Sequence, residues 1–372
     1  MDLDTGVERT PLVIRSAQDA IAAVPYMLGY HPGRSLVVIG YDGPHTTCAV
    51  RLDLPPPDEA RAAAERVAAV LAGNRFRQAL VLGYGDADEV APAVAPMCAA
   101  LDASGLDVTD AIRVADGRWW SLTSPGRCPP EGHAYDAGTS VVPAQATLAG
   151  HVVLADRAEL ARSVEPVGGD ARAAMRAATD RAERRYFGWF REGLAPARID
   201  TRLAGEGLSL LPGLLSDFRA GRRPTDDEVA WLGVLLTSTR VRDEAWVRID
   251  EDAPAADIEF WSDVVRRVED RYSEAPACLL AFAAYVSGDG GLANIALDRA
   301  DPDYSMGVLL REMIAVGIPP SKVRLRMTPE QLALAYTDRE EPPRPTDHLF
   351  LADRPPQRHG DHTPGEEDRK AS

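Results

Sequence analysis

Lysine is almost missing from this chain. Of its 41 basic residues only Lys322 and Lys370 are lysines. A phosphate-binding loop lysine or a Schiff-base lysine in the N-terminal part is therefore excluded. Together with abundant alanine, the near-exclusive use of arginine reads as the coding bias of a GC-rich genome. Basic charge is also scarce overall, with 57 acidic residues against 41 basic ones and a formal net charge of −16. Sequence-independent binding to nucleic acid or to an anionic membrane needs a basic face, so neither partner is expected. Cysteine is sparse: Cys48, Cys98, Cys128 and Cys278 are scattered singly, with no C-x-x-C pair. A disulfide framework or structural zinc site requires clustered spacing, so reduced thiols and no metal are expected. No apolar run approaches the roughly 18 residues that a membrane-spanning helix needs. The opening MDLDTGVERT lacks the basic start and apolar core of a signal peptide, and the expectation is a cytoplasmic protein. Walker A, G-x-S-x-G, H-E-x-x-H and kinase motifs do not occur, and nothing points to a cofactor.

What is present suits two folded parts. The chain has 372 residues, 45% of them hydrophobic, which is long for one ordinary domain. The stretch Val24–Leu54, VPYMLGYHPGRSLVVIGYDGPHTTCAVRLDL, organises the first part. Before it, Leu12-Val13-Ile14 is strand-like, and Ser16 caps a helix over 17–27 with Ile21, Val24 and Leu28 on its buried stripe. His31-Pro32-Gly33-Arg34 is a turn. Leu36-Val37-Val38-Ile39 is continuously apolar, which predicts a central strand covered on both faces. Asp42-Gly43 turns the chain, and a second strand over 46–54 puts Cys48, Val50 and Leu52 on one face. Thr47, Ala49, Arg51 and Asp53 fall on the other. A helix over 58–71, a strand at 78–83, a helix over 87–103, a strand at 108–115 and a return strand at 118–122 follow. This alternation after an opening hairpin predicts an α/β domain with a mixed sheet over residues 1–167. Residues 123–139 form a long irregular loop, and one or two helices over 142–163 finish the domain.

From residue 168 strand signals vanish, and an all-α helical domain is predicted over 168–328. Helices are expected at 170–192, 207–220, 225–248, 256–272, 275–287, 290–300 and 304–316, with a capping box at Thr225 and Glu228. The stretch from Ala275 to Tyr304 has small residues at helical spacing, a Gly288-Asp289 turn and a closing Asp301-Pro302. It is tetratricopeptide-like, although about three residues short and without a second copy. Residues 338–372 are polar and proline-rich and are expected to be a disordered tail; His348, His359 and His362 within it match no metal spacing.

Candidate site residues cluster in the first part. His31, Arg34, Arg51 and Asp53 surround the first hairpin, where two arginines could clamp a carboxylate or phosphate. The plainer alternative is that Arg51 and Asp53, two apart on one strand face, pair with each other, and that His31 bonds a backbone group in its turn. Gly83-Tyr84-Gly85-Asp86 ends a buried strand where ligands bind in open α/β sheets, but Asp86 would cap the next helix and repel an anion. Trp119 and Trp120 point to opposite faces, one into the core and the other toward a ligand or the 123–139 loop. That loop offers Cys128, Glu131 and His133, from which a Cys–His nucleophile pair or partial zinc site can be imagined.

The segments VPYMLGYHPGRSLVVIG, RLDLP, RVADGRWWSL with CPPEG, and RDEAW with GDGGLANIALDRADPDYS resemble the actinobacterial family catalogued as domain of unknown function 4192, to about residue 325. The resemblance implies an actinobacterial intracellular protein without an established activity or catalytic residues. It also implies a further cysteine before the position of Cys128, where this chain carries Arg127; that departure speaks against a metal or redox role for the loop. The resulting expectation is a regulatory or binding protein, with a protein partner on the helical half and a small ligand on the α/β half. The alternative is an enzyme, a hydrolase or transferase, with its site between the first hairpin and the 123–139 loop.

Overall fold

A computed structural model describes residues 14, 16–44, 47–136, 138, 140–148, 153–325 and 327–337. The expected tail at 338–372 lies outside the described residues, as do Leu12 and Val13; Ile14 belongs to no strand.

The first part is built on a mixed six-stranded sheet. Helix α1 (Ala17–Leu28) starts where the Ser16 hydroxyl accepts from the Asp19 amide at 3.1 Å and stops at Gly29, whose φ of +80° favours glycine. Strand β1 (Ser35–Tyr41) follows, then β2 (Cys48–Asp53), α2 (Ala60–Gly73), β3 (Gln78–Tyr84), α3 (Ala87–Ala103), β4 (Asp107–Ala115) and β5 (Arg118–Ser121). The order across the sheet is β2-β1-β3-β4-β5-β6, with β6 (His133–Ala134) at the edge. Within this sheet β3 and β4 are the parallel pair, joined through α3. The Asp116-Gly117 turn has both φ values positive, +48° and +69°, as a two-residue hairpin with right-twisted strands requires.

The sheet separates two hydrophobic layers. Leu36, Val38, Ala79, Val81 and Ala111 face α2 and α3, joined by Cys48, Val50 and Leu52. Gly83 lets α3 approach: a Cβ there would come within 2.3 Å of a Val90 methyl. Val37, Ile39, Leu82, Ile112 and Val114 face the other way, toward α1 and the helical part. The alternation expected for β2 is thus the one observed. The long loop carries more order than expected: a 3-10 turn at Pro125–Arg127 and β6, which pairs with β5.

Two short helices, α4 (Val142–Leu148) and α5 (Arg157–Arg162), lead into the helical part. It comprises α6 (Gly169–Arg191), α7 (Pro196–Arg219), α8 (Asp226–Leu235), α9 (Thr239–Val247) and α10 (Ala255–Arg267). Then come α11 (Glu274–Ser287), α12 (Gly290–Leu297), α13 (Ser305–Ala315), α14 (Pro320–Val323) and α15 (Pro329–Thr337). The helix expected over 225–248 is two helices. Thr237 Oγ1 bonds the Val234 carbonyl at 2.7 Å and Ser238 takes the cap position of α9, a local hydroxyl-to-backbone competition that breaks the run. The helix expected at 207–220 begins earlier, with Pro196 in its first turn. The helix expected over 256–272 stops at Arg267, and a 3-10 turn at Asp270–Tyr272 follows. Helix α11 is buried from Ala275 to Tyr285 without interruption, so it is the central helix of this part rather than an amphipathic surface helix. Its core residues belong to the same cluster as the second face of the sheet.

Candidate functional site

Strand register assembles one row of side chains across the whole sheet. Asp53 opposes Ser35, Ser35 opposes Tyr84, Tyr84 opposes Val114, Val114 opposes Trp119, and Trp119 opposes His133. The row crosses all six strands where parallel β3 and β4 end, the side on which open α/β sheets bind ligands. It lies on the face turned to α1 and the helical part, since Tyr84 and Val114 belong to that layer and Trp119 packs against it. Arg51 stands on the same face one step inward, opposite Val37, and is a diagonal neighbour of Ser35.

Polar atoms in this corner are buried with no hydrogen-bond partner among the described residues. They are Ser35 Oγ, Tyr84 Oη and Arg51 Nε. Ser35 is fully buried and Tyr84 is 8% exposed. Arg51 Nη2 does donate to Asp53 Oδ1, at 2.6 Å, with Asp53 on the solvent side. Burial, with the Tyr135 phenol adding to it, pushes Tyr84 far above the usual tyrosine range, so it carries its proton at neutral pH. Tyr30, 4% exposed, lies in the same electrostatic neighbourhood. Burial raises its phenol; Arg51 and Arg157 oppose that rise, while Asp53 and Asp289 add to it.

The segment before β1 ties this corner to the rest. The Leu154 amide donates to Gly29 at 2.9 Å and the His31 amide donates to Leu154 at 3.1 Å. Gly291, in the first turn of α12, faces the Leu28 carbonyl so closely that a Cβ would stand 2.7 Å from it.

The other expected residues scatter. His31 is exposed and enters through its backbone. Arg34, with φ +26°, turns its side chain to Glu89 of α3 at 2.5 Å. Trp120 projects from the opposite face, where the Arg113 guanidinium lies 3.5 Å from its ring centroid and its indole N–H donates to Pro130 at 3.0 Å. Trp119 stacks with His133, ring centroids 4.7 Å apart. The Cys128 thiol donates to the Trp119 carbonyl at 3.8 Å, so thiol and imidazole both engage Trp119, one its backbone and the other its ring. Arg118 pins the loop by donating to the Glu131 and Gly132 carbonyls. Among the described residues no group of three His, Cys, Asp or Glu side chains is placed to hold a metal ion. No helix of the described residues is long and apolar enough to cross a membrane. Asp86 occupies the N-cap position of α3 but makes no side-chain capping bond, contrary to its expected role. Of the other three thiols, burial raises Cys48, and it pushes Cys98 to about 11 and Cys278 to about 12.

Arg51, Asp53, Trp119 and His133 therefore share a face, whereas Arg34 and Trp120 lie across the sheet. Ser35 and Tyr30 were not among the expected site residues, and Tyr84 entered only within the Gly83–Asp86 segment, read there as structural. A hydroxyl opening an otherwise apolar strand and a tyrosine between two glycines are the signals that mark Ser35 and Tyr84. A family model described as a domain of unknown function (DUF4192) matches residues 18–321, most of the chain, and the chain belongs to that family. No curated protein matches, and no solved structure matches.

Proposed function

We propose that this member of the family is a regulatory binding protein. Its α/β half would hold a small polar ligand at the carboxyl end of β3 and β4, and its helical half would meet a protein partner. The observation that carries this reading is the trio of buried, unpartnered polar atoms on Ser35, Tyr84 and Arg51. Each such group costs about 1–3 kcal/mol when left unsatisfied, and a ligand would remove that cost. Aims of the Cys128 and His133 side chains at Trp119 rather than at each other support binding over nucleophilic chemistry. The tetratricopeptide-like reading of α11 and α12 draws on their packing against each other and on small buried residues in both, among them Ala281, Ala284, Ala293 and Ala296. Since α11 is buried from Ala275 to Tyr285, the partner surface belongs to outer helices such as α6, where Phe187 and Phe190 are 49% and 40% exposed.

The test is a thermal-shift screen of the full chain against polar metabolites and nucleotides, repeated on Y84F. A ligand of the folded state raises stability by mass action. The expected result is at least one stabiliser whose effect is lost in Y84F. A stabiliser that the protein converts to product would overturn the reading in favour of an enzyme.

A further inference from the structure

We infer that the ligand of this corner presents an oxyanion, a carboxylate or phosphate group, received by Arg51, Ser35 and Tyr84; this rests on the binding reading above. Arg51 Nε is an obligate donor, buried with no acceptor. The Ser35 hydroxyl and the Tyr84 phenol are donors as well as acceptors, and both are unpartnered. Register lines the three up on adjacent strands: Ser35 opposite Tyr84, and Arg51 diagonal to Ser35. Three donors without an acceptor select an oxygen-rich group, and the planar guanidinium suits a carboxylate or phosphate. A cation is disfavoured by the same arginine. The arginine is compensated from one side only: its side chain is 15% exposed, whereas that of its partner Asp53 is 85% exposed. Asp53 thus stands at the rim and competes with any anion for the guanidinium.

That competition makes the proposal separable from a purely structural ion pair. If Asp53 merely anchors Arg51, D53N lowers the melting temperature and leaves salt dependence unchanged. If the corner receives an oxyanion, D53N tightens anion binding several-fold. The experiment is differential scanning fluorimetry of the full chain in sodium phosphate, sodium acetate and sodium chloride at equal ionic strength, on wild type, D53N, S35A and Y84F. Phosphate or acetate at 100-fold its Kd should raise the melting temperature by about 3–4 °C, with no rise in chloride; which of the two salts acts identifies the group. S35A and Y84F should keep or raise the melting temperature of the free protein, since each deletes an unpartnered buried hydroxyl, and should lose the anion-dependent rise. Equal rises in all three salts, no rise in any, or a rise that survives in Y84F would overturn the oxyanion. A neutral metabolite whose stabilisation disappears in Y84F, with neither anion active, would overturn the oxyanion and leave the binding reading standing. D53N changes only a rim residue, so its readout holds even where a core variant fails to fold.

Discussion

Gly132 is where the 123–139 loop is locked to the sheet, and substituting it tests that lock. Its φ is +77°, and a Cβ built on it would stand 2.4, 2.7 and 2.8 Å from Cε2, Cζ2 and Nε1 of Trp120. G132A therefore meets two separate penalties. A left-handed conformation costs a residue with a Cβ roughly 1–2 kcal/mol. Overlap with a rigid indole adds about 1–3 kcal/mol, because Trp120 is held by Arg113 on its ring and by the Pro130 carbonyl at its N–H. The expected loss is about 2–5 kcal/mol. Two controls isolate the parts. Gly117 has φ +69° with nothing within 4 Å of an added Cβ, so G117A pays the backbone cost alone. Gly126 has neither positive φ nor a close neighbour, so G126A should be neutral or gain up to about 1 kcal/mol from a stiffer unfolded chain. Urea unfolding followed by tryptophan emission reads all three. A G132A loss no larger than that of G117A would refute the idea that Trp120 is fixed by its neighbours.

Two further outcomes follow from packing and burial. A Cβ on Gly207 of α7 would lie 2.3 Å from a Val241 methyl of α9, so G207A should cost about 1–3 kcal/mol in urea unfolding, and the double variant G207A/V241A should recover part of it; a purely additive loss would count against this contact. Tyr84, Tyr30 and Tyr272 all have phenols raised by burial, so their contribution is fully present below the unfolded value near pH 10 and is lost as pH rises from there toward the folded values. Stability by urea titration should fall between pH 10 and 11, less steeply in Y84F than in wild type; identical slopes would show that Tyr84 does not titrate with unfolding.

The first hairpin was readable because its chemistry is local. Continuous apolar residues from Leu36 to Ile39 announce a strand with two covered faces, and alternation from Cys48 to Asp53 divides that strand's side chains between them. The pairing of Arg51 with Asp53 follows from the same two-residue period. The row from Asp53 to His133 was not readable. It depends on β1 lying beside β3 and β3 beside β4, pairings such as Ser35 with Tyr84 and Tyr84 with Val114 that join distant segments and that only the packed sheet fixes. Arg34 misled for a related reason. Its sequence position suggests the strand end, but its positive φ sends the side chain across the sheet edge to Glu89. A serine at the start of an apolar strand carries no sign of its own burial; here a neighbouring strand on each side buries Ser35 completely. The turns of α7 before residue 207 went unexpected, and within the expected span Gly207 is the position that lets α9 come close.

The change from α/β to all-α near residue 168 is a change of secondary structure and not of core. Val37, Ile39, Leu82 and Ile112 on one face of the sheet share a continuous hydrophobic cluster with Leu279, Phe282 and Ile295 of the helical part. Separated at that point, the sheet would present these side chains to water, each worth about 1.5–3 kcal/mol of burial. The joint is also specific. Leu154 is hydrogen-bonded to Gly29 and to the His31 amide on either side of Tyr30, and the first turn of α12 leaves no room for a side chain at Gly291 beside Leu28. Tyr30 lies between that joint and Arg51, sensing charges from β2, α5 and the N-cap of α12 together. A ligand bound at the Ser35–Tyr84–Arg51 corner would therefore act on a sheet face that both halves need for their stability, and its binding free energy would be felt by the helices as well as by the strands.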